Sequence, residues 1–127
     1  MPVDFRLDET SGVVITRFHG AITADDFLHQ PQRLLSVPNL PRPLRQLIDG
    51  REIESMAFGV EEVSSVALDP RQVEAFADYE PVRVAIVAVS PVSYGLARMF
   101  QGFAEHMGLA VAVCREESEG MAFLAQD

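Results

Sequence analysis

Apolar positions near the start of the chain follow the pattern of a β-hairpin. Residues 3–7 alternate apolar and polar side chains, as a half-buried strand does. Residues 13–18 are rich in β-branched side chains, which favour strands. The Thr-Ser-Gly segment at 10–12 has turn chemistry, so the two strands are predicted to pair across a short connection.

Three later apolar runs predict further strands. Residues 44–48 form a short run that ends at Asp49-Gly50, where we expect a sharp turn. Residues 82–89 are apolar on both faces, which predicts a central strand covered on both sides. Residues 109–114 form another buried strand.

Helical signals separate these strands. Thr23 is a good cap for a helix that begins directly after it. Pro31 is expected to kink that helix. Segments 56–68 and 70–78 are predicted as two helical pieces divided at Asp69-Pro70, and a last helix begins near Glu116. Ser90-Pro91 starts a helix with an apolar stripe that we expect in the core: Val92, Leu96, Met99, Phe100, Phe103 and Met107.

The order of elements is β-β-α-β-α-β-α-β-α, over a chain of 127 residues. Strands that alternate with helices predict a mainly parallel sheet with right-handed crossovers. The length fits one domain, so residues 1–127 are predicted to form a single α/β unit.

Charge and composition narrow the classes of function. The net charge of −9 disfavours nucleic acid and anionic membrane surfaces as partners. No apolar run approaches the ~20 residues of a membrane span, and no signal peptide is visible, so we expect a cytoplasmic protein. All ten basic residues are arginine, which excludes a Schiff-base lysine and a lysine-containing phosphate loop.

Nothing in the sequence predicts catalysis, a metal site or a cofactor. The three histidines lack metal-ligand spacing, and Cys114 lies inside an apolar strand, where a thiol is normally inert packing. A nucleophile elbow is missing, and adjacent carboxylates on a helix diverge by about 100°. We therefore predict no catalytic residues and expect a non-enzymatic domain.

Several segments resemble SpoIIAA-like proteins of the STAS/SEC14 type. Residues 20–27 resemble the glycine, threonine and acidic-aromatic signature that opens their first helix. Residues 84–87 and 94–100 resemble the central strand and next helix, and 111–124 the closing strand and helix. The resemblance covers nearly the whole chain, although Gly120 stands where alanine is expected and Phe123 where tryptophan is expected.

This resemblance implies a SpoIIAA-like sheet of four or five strands, with most helices on one face. It also implies a regulatory or protein-interaction role. In the anti-sigma-factor antagonists of this superfamily, a phosphorylatable serine follows the third strand in an Asp-Ser-Ser-Gly-like turn. The corresponding residues here are Asp49, Gly50, Arg51 and Glu52, so no serine is available for such a switch.

Helices on one face would leave an apolar sheet face uncovered, and a symmetric dimer would cover it. We therefore predict a non-enzymatic regulatory or protein-interaction domain that also self-associates as a homodimer. Segment 56–68 is an ordinary core helix in the simplest interpretation. The alternatives are a lid over the sheet edge and a contact with another subunit.

A small-molecule site, for an anion or a lipid, is the alternative function. Ligands favour the crevice at the carboxyl ends of parallel strands, where polar residues from two strand ends are expected to meet. The candidate ligand-binding residues are Asp49, Arg51, Ser90, Ser93, Tyr94 and Arg98. A purely structural role is also open, in which Ser90 caps a helix, Tyr94 packs, and Arg98 pairs with Asp49 or Glu105.

Overall fold

A five-stranded sheet forms the centre of the computed structural model, which describes residues 2–126. The strands are β1 (Val3–Asp8), β2 (Val13–Ile22), β3 (Arg45–Met56), β4 (Arg83–Val87) and β5 (Ala110–Cys114). The helices are α1 (Ala24–Leu28), α2 (Gln30–Leu35), α3 (Val60–Leu68), α4 (Pro70–Ala75), α5 (Pro91–His106) and α6 (Glu117–Leu124), with a 3-10 turn at Ala77–Tyr79.

The strands lie side by side in sequence order, β1-β2-β3-β4-β5. β1 and β2 form the predicted antiparallel hairpin, and every other neighbouring pair is parallel. The mixed, mainly parallel α/β sheet is therefore confirmed. Parallel strands laid in sequence order with right-handed crossovers place their connecting helices on one face.

The larger core lies on that face. Val14, Val84 and Val111 point from the sheet towards the helices, and Leu34 of α2 and Ala104 of α5 pack against them. Helices α1 to α5 form this helix layer. The predicted caps are confirmed: Thr23 accepts a hydrogen bond from the Asp26 backbone, and the Ser90 hydroxyl accepts one from the Ser93 backbone.

Helix α6 covers the opposite face of the sheet. Leu124 is fully buried against Val13, Leu47 and Val87. Val13 and Ile15 of β2 belong to this contact, whereas farther along β2 the same face is polar, with an ion pair from Arg17 to Glu52 of β3 at 2.9 Å. The broad uncovered apolar face, on which the expectation of a dimer rested, is therefore absent from residues 2–126.

Strand β3 is longer than predicted. It does not end at Asp49-Gly50 but continues to Met56, paired with an equally extended β2. The pairing with β4 stops at Asp49, and β3 then carries an extra residue opposite the Arg17–His19 step of β2. The glycine that indicated a turn thus belongs to a bulge, which bends the strand without ending it.

The apolar stripe of α5 does not lie wholly in the core. Val92 is 64% exposed and Met99 is 38% exposed, whereas the small residues Ser93, Ala97 and Ala104 face inwards. Small side chains allow the helix to approach the sheet closely, so the larger ones turn outwards. Every helix within residues 2–126 is too short or too polar to span a bilayer.

Candidate functional site

Asp49 and Arg51 lie on the α6 face of the sheet. The Arg51 guanidinium donates to both carboxylate oxygens of Asp49, at 2.9 and 2.8 Å, and also to Glu117 of α6 at 3.1 Å. The Arg51 side chain lowers the pKa of Asp49, although burial acts in the opposite direction. The same ion pair raises the pKa of Arg51. These contacts tie β3 to α6 and occupy the hydrogen-bonding groups of Asp49.

Ser90 and Ser93 lie across the sheet from that ion pair, at the start of α5. The Ser90 hydroxyl donates to the Ser93 hydroxyl at 2.7 Å, and the Ser93 hydroxyl donates to the Ser90 carbonyl at 3.2 Å. Both side chains therefore act within the helix cap, and the cap role of Ser90 is the one that the structural alternative predicts.

Tyr94 and Arg98 lie farther along α5. Tyr94 faces the guanidinium of Arg115, whose central carbon is 4.3 Å from the ring centre. Arg98 is exposed, and within residues 2–126 it pairs with neither Asp49 nor Glu105. The structure thus brings Asp49 together with Arg51, and Ser90 together with Ser93, but it does not bring all six predicted ligand-binding residues into one crevice.

The concave feature near the expected crevice is an apolar cavity of about 120 Å³. It lies between the sheet and the helix layer, and it reaches Val87 and Ala88 at the carboxyl end of β4. Most of its walls are apolar side chains: Phe18, Phe27, Ile48, Ile53, Met56, Phe58, Val63, Val66, Val84, Ile86, Leu96, Ala97, Phe100 and Leu109.

The bulged part of β3 builds one wall of this cavity. A side chain at Gly50 would place its Cβ 3.0 Å from the Val87 carbonyl oxygen, so glycine allows the two strands to approach there. Past this point β3 carries Ile53 and Met56 to the cavity. Phe58 then stacks on Phe27 with ring centres 4.4 Å apart, which joins the segment before α3 to α1.

Helix α3 forms another wall. Val63 and Ala67 are buried, and Val63 and Val66 line the cavity. Most of segment 56–68 is therefore a helix that faces its own core, as the simplest interpretation predicts. The alternative roles as a lid or as a subunit contact stay predictions.

Three polar side chains line the cavity, and they differ in their hydrogen bonding. Gln46 donates to the buried Thr16 hydroxyl at 2.8 Å, and Ser93 is engaged in the α5 cap. Gln30 is only 7% exposed, yet its Nε2 has no hydrogen-bond partner. Among residues 2–126 it is the one buried side-chain nitrogen or oxygen atom in that condition.

Gln30 was not among the residues predicted from sequence. It occupies the first position of α2, directly before Pro31, where a polar residue is ordinary. The burial of its side chain depends on how α2 packs beside β3, β4 and α5. No local sequence pattern predicts that packing. The signal that identifies Gln30 is its unpaired amide nitrogen, Nε2, which is buried only in the folded chain.

A second, larger cavity of about 530 Å³ lies at the other end of the helix layer. It is bordered by α3, α4 and the end of α5, with Val73, Phe76 and Met107 among its lining residues. Its polar neighbours Gln72 and Glu80 are not buried, so nothing there marks a specific contact.

The described residues hold no group of three or more His, Cys, Asp or Glu side chains suited to a metal ion. Cys114 is buried, and desolvation, followed by the charge of Glu119, raises the pKa of its thiol. A raised pKa keeps the thiol in its less reactive, protonated form.

Comparison with solved structures places the fold. A crystal structure of an uncharacterised DUF3478-family protein from Shewanella loihica PV-4, described as having a SpoIIAA-like fold, matches this chain with a TM-score of 0.58. The match covers 96% of this chain and 91% of the other, at 14% sequence identity. This chain has a SpoIIAA-like fold. No family model and no curated protein matches the sequence, so the similarity concerns the fold alone.

Proposed function

We propose that this SpoIIAA-like domain is a non-enzymatic regulatory module that binds a small molecule in the cavity between its sheet and its helix layer. The observation that carries the proposal is the unpaired Nε2 of Gln30 at an otherwise apolar cavity. The cavity reaches the carboxyl end of β4, which is the part of a parallel sheet where ligands favour binding.

The energetics of the unpaired Gln30 Nε2 support a ligand. A buried donor without a partner costs about 1–3 kcal/mol, and a bound acceptor would remove that cost. Apolar walls add a hydrophobic driving force for a ligand that brings apolar surface out of water into the cavity. Small-molecule sites usually have mostly apolar walls with a few polar groups, as this cavity does.

The regulatory part of the proposal rests on the resemblance to SpoIIAA-like proteins. A serine phospho-switch at the third strand is not part of it, because Asp49 to Glu52 lie inside β3 and contain no serine. Ligand occupancy would instead act through α3, because Val63 and Val66 touch the cavity while Val60 and Leu68 of the same helix are exposed.

Titration with benzene, followed by methyl NMR of the whole chain, tests this function. We expect saturable shifts of the Val63 and Ile86 methyl groups, because both residues line the cavity. Ala97→Leu fills the cavity and abolishes the shifts. The matched variant Ala75→Leu makes the same change on the exposed surface of α4 and preserves them. If Ala97→Leu does not fold, Ala88→Val reduces the same cavity.

Two results would contradict the cavity as a binding site. The first is the absence of saturable shifts up to the solubility limit of benzene. The second is binding that persists unchanged in the cavity-filling variants, because the probe would then occupy another place.

Self-association is a second candidate function, favoured by one observation. Val92 and Met99 lie seven positions apart on one side of α5 and are both exposed, whereas Leu96 between them borders the cavity. This outer stripe of α5 leaves apolar surface unpaired. This exposed surface replaces the uncovered sheet face as the physical reason for a homodimer. The proposal includes no nucleic acid and no cofactor.

A further inference from the structure

We infer that the ligand is a neutral molecule about the size of a six-membered ring, which carries a hydrogen-bond acceptor that Gln30 Nε2 binds. This inference rests on the proposed function and specifies its ligand. It follows from three properties of the cavity: its charge, its polar atoms and its volume.

The cavity has no charged residue in its lining. The arginines that could receive an anion lie elsewhere: Arg51 is bound to Asp49 on the opposite face of the sheet, and Arg98 is exposed on α5. A carboxylate or phosphate in the cavity would lose its hydration without gaining a counter-charge. The site therefore favours a neutral ligand over an anion.

The available polar atom sets the type of hydrogen bond. Gln46 donates to Thr16, and the Ser93 hydroxyl donates to the Ser90 carbonyl. Nε2 of Gln30 is a donor and has no partner. A ligand that completes the site must therefore bring an acceptor, such as the oxygen of a ketone, an ether or an amide.

The volume limits the ligand to a small molecule. An engineered apolar cavity of about 150 Å³ in another protein binds benzene. The cavity of about 120 Å³ found here is slightly smaller, so it suits a ring of six or so heavy atoms and not a fatty-acyl chain. This size separates the site from a lipid carrier.

Three probes that share a six-membered ring test the inference by isothermal titration of the full chain. Cyclohexanone carries an acceptor, methylenecyclohexane has the same shape without one, and cyclohexanecarboxylate carries a negative charge. We expect Gln30→Leu to weaken cyclohexanone binding at least tenfold relative to methylenecyclohexane, and cyclohexanecarboxylate to bind most weakly of the three to the unmodified chain. Gln30→Met, with an unbranched side chain, serves as a second variant if Gln30→Leu does not fold.

Gln32→Leu is the matched control, because Gln32 lies on the same helix with an exposed side chain. It should leave the affinities for all three probes unchanged.

The outcomes separate the inference from the proposed function. If none of the probes binds, the proposed function fails. If methylenecyclohexane binds, and Gln30→Leu weakens cyclohexanone binding no more than it weakens methylenecyclohexane binding, the cavity binds ligands but the Gln30 contact is wrong. Tightest binding of the carboxylate would overturn the neutral ligand.

Discussion

Gly120 of α6 lies so close to Leu47 of β3 that a Cβ atom at position 120 would be 2.7 Å from Leu47 Cδ1. It would also be 3.2 Å from the Cβ of Ala85 on β4. The backbone of α6 thus packs directly on the sheet, and Leu47 is fully buried and has little room to move. This contact explains why glycine stands where the resemblance to SpoIIAA-like proteins leads one to expect alanine.

Gly120→Ala should therefore destabilise the protein by about 1 kcal/mol, because overpacking costs more than the gain in helix propensity. Gly102→Ala on α5 is the matched control, since a Cβ there meets no atom within 4 Å. That change should raise stability by about 0.5 kcal/mol. Urea unfolding followed by circular dichroism measures both, and a stabilised Gly120→Ala would show that α6 packs less closely than the structure indicates.

The Asp49–Arg51 ion pair should make stability depend on acid pH. Because the folded pKa of Asp49 is lowered, its contribution is present above the unfolded value near 3.8 and is lost as the pH falls through the folded value. Asp49→Asn should lower the free energy of unfolding by about 2 kcal/mol at pH 7. The difference from the unmodified chain should shrink as the pH falls below 4.

Asp78→Asn is the control for net charge, since Asp78 is exposed and outside the ion pairs found among residues 2–126. Chemical unfolding at several pH values compares the three proteins. Part of the acid dependence should survive in Asp49→Asn, because the pKa values of Asp26 and Asp69 are also lowered by their hydrogen bonds. A constant difference between Asp49→Asn and the unmodified chain from pH 7 to pH 2 would contradict the role of this carboxylate.

Self-association through the outer stripe of α5 can be tested by charge. The double variant Val92→Glu with Met99→Glu places two carboxylates on that stripe, and we expect it to sediment as a monomer while the unmodified chain forms a dimer. Val73→Glu on α4 is the control, since Val73 is also exposed but lies on another surface. A monomeric unmodified chain at tens of micromolar would remove this candidate function.

Cys114 should react slowly in the folded protein. Its side chain is buried, and burial raises the pKa of the thiol, so the reactive thiolate is both scarce and inaccessible at pH 8. We expect labelling by a disulfide reagent to be at least about tenfold slower than in guanidinium-unfolded chain. Equal rates, with circular dichroism showing an intact fold, would mean that β5 opens readily at this residue.

The sequence was a good guide to the elements and a poor guide to the site. Thr23, Asp69 and Ser90 mark helix starts by local chemistry, and each accepts the expected backbone hydrogen bond. Asp49 and Ser93 both follow apolar runs, which suggested that they would meet. They lie on opposite sides of the sheet, because Asp49 shares the face of Leu47 and Ser93 belongs to a helix on the other face.

By itself, the sequence determined the β-α order, the hairpin, the mainly parallel sheet and the exclusion of lysine chemistry, since these depend on local periodicity, caps and residue type. The tertiary structure decided that α6 covers the second face, that β3 continues past Gly50, and that Gln30 is buried beside an apolar cavity. The physical reason is that burial and hydrogen-bond satisfaction are properties of the packed chain. Whether the Gln30 amide has a partner depends on residues from strands and helices distant in sequence.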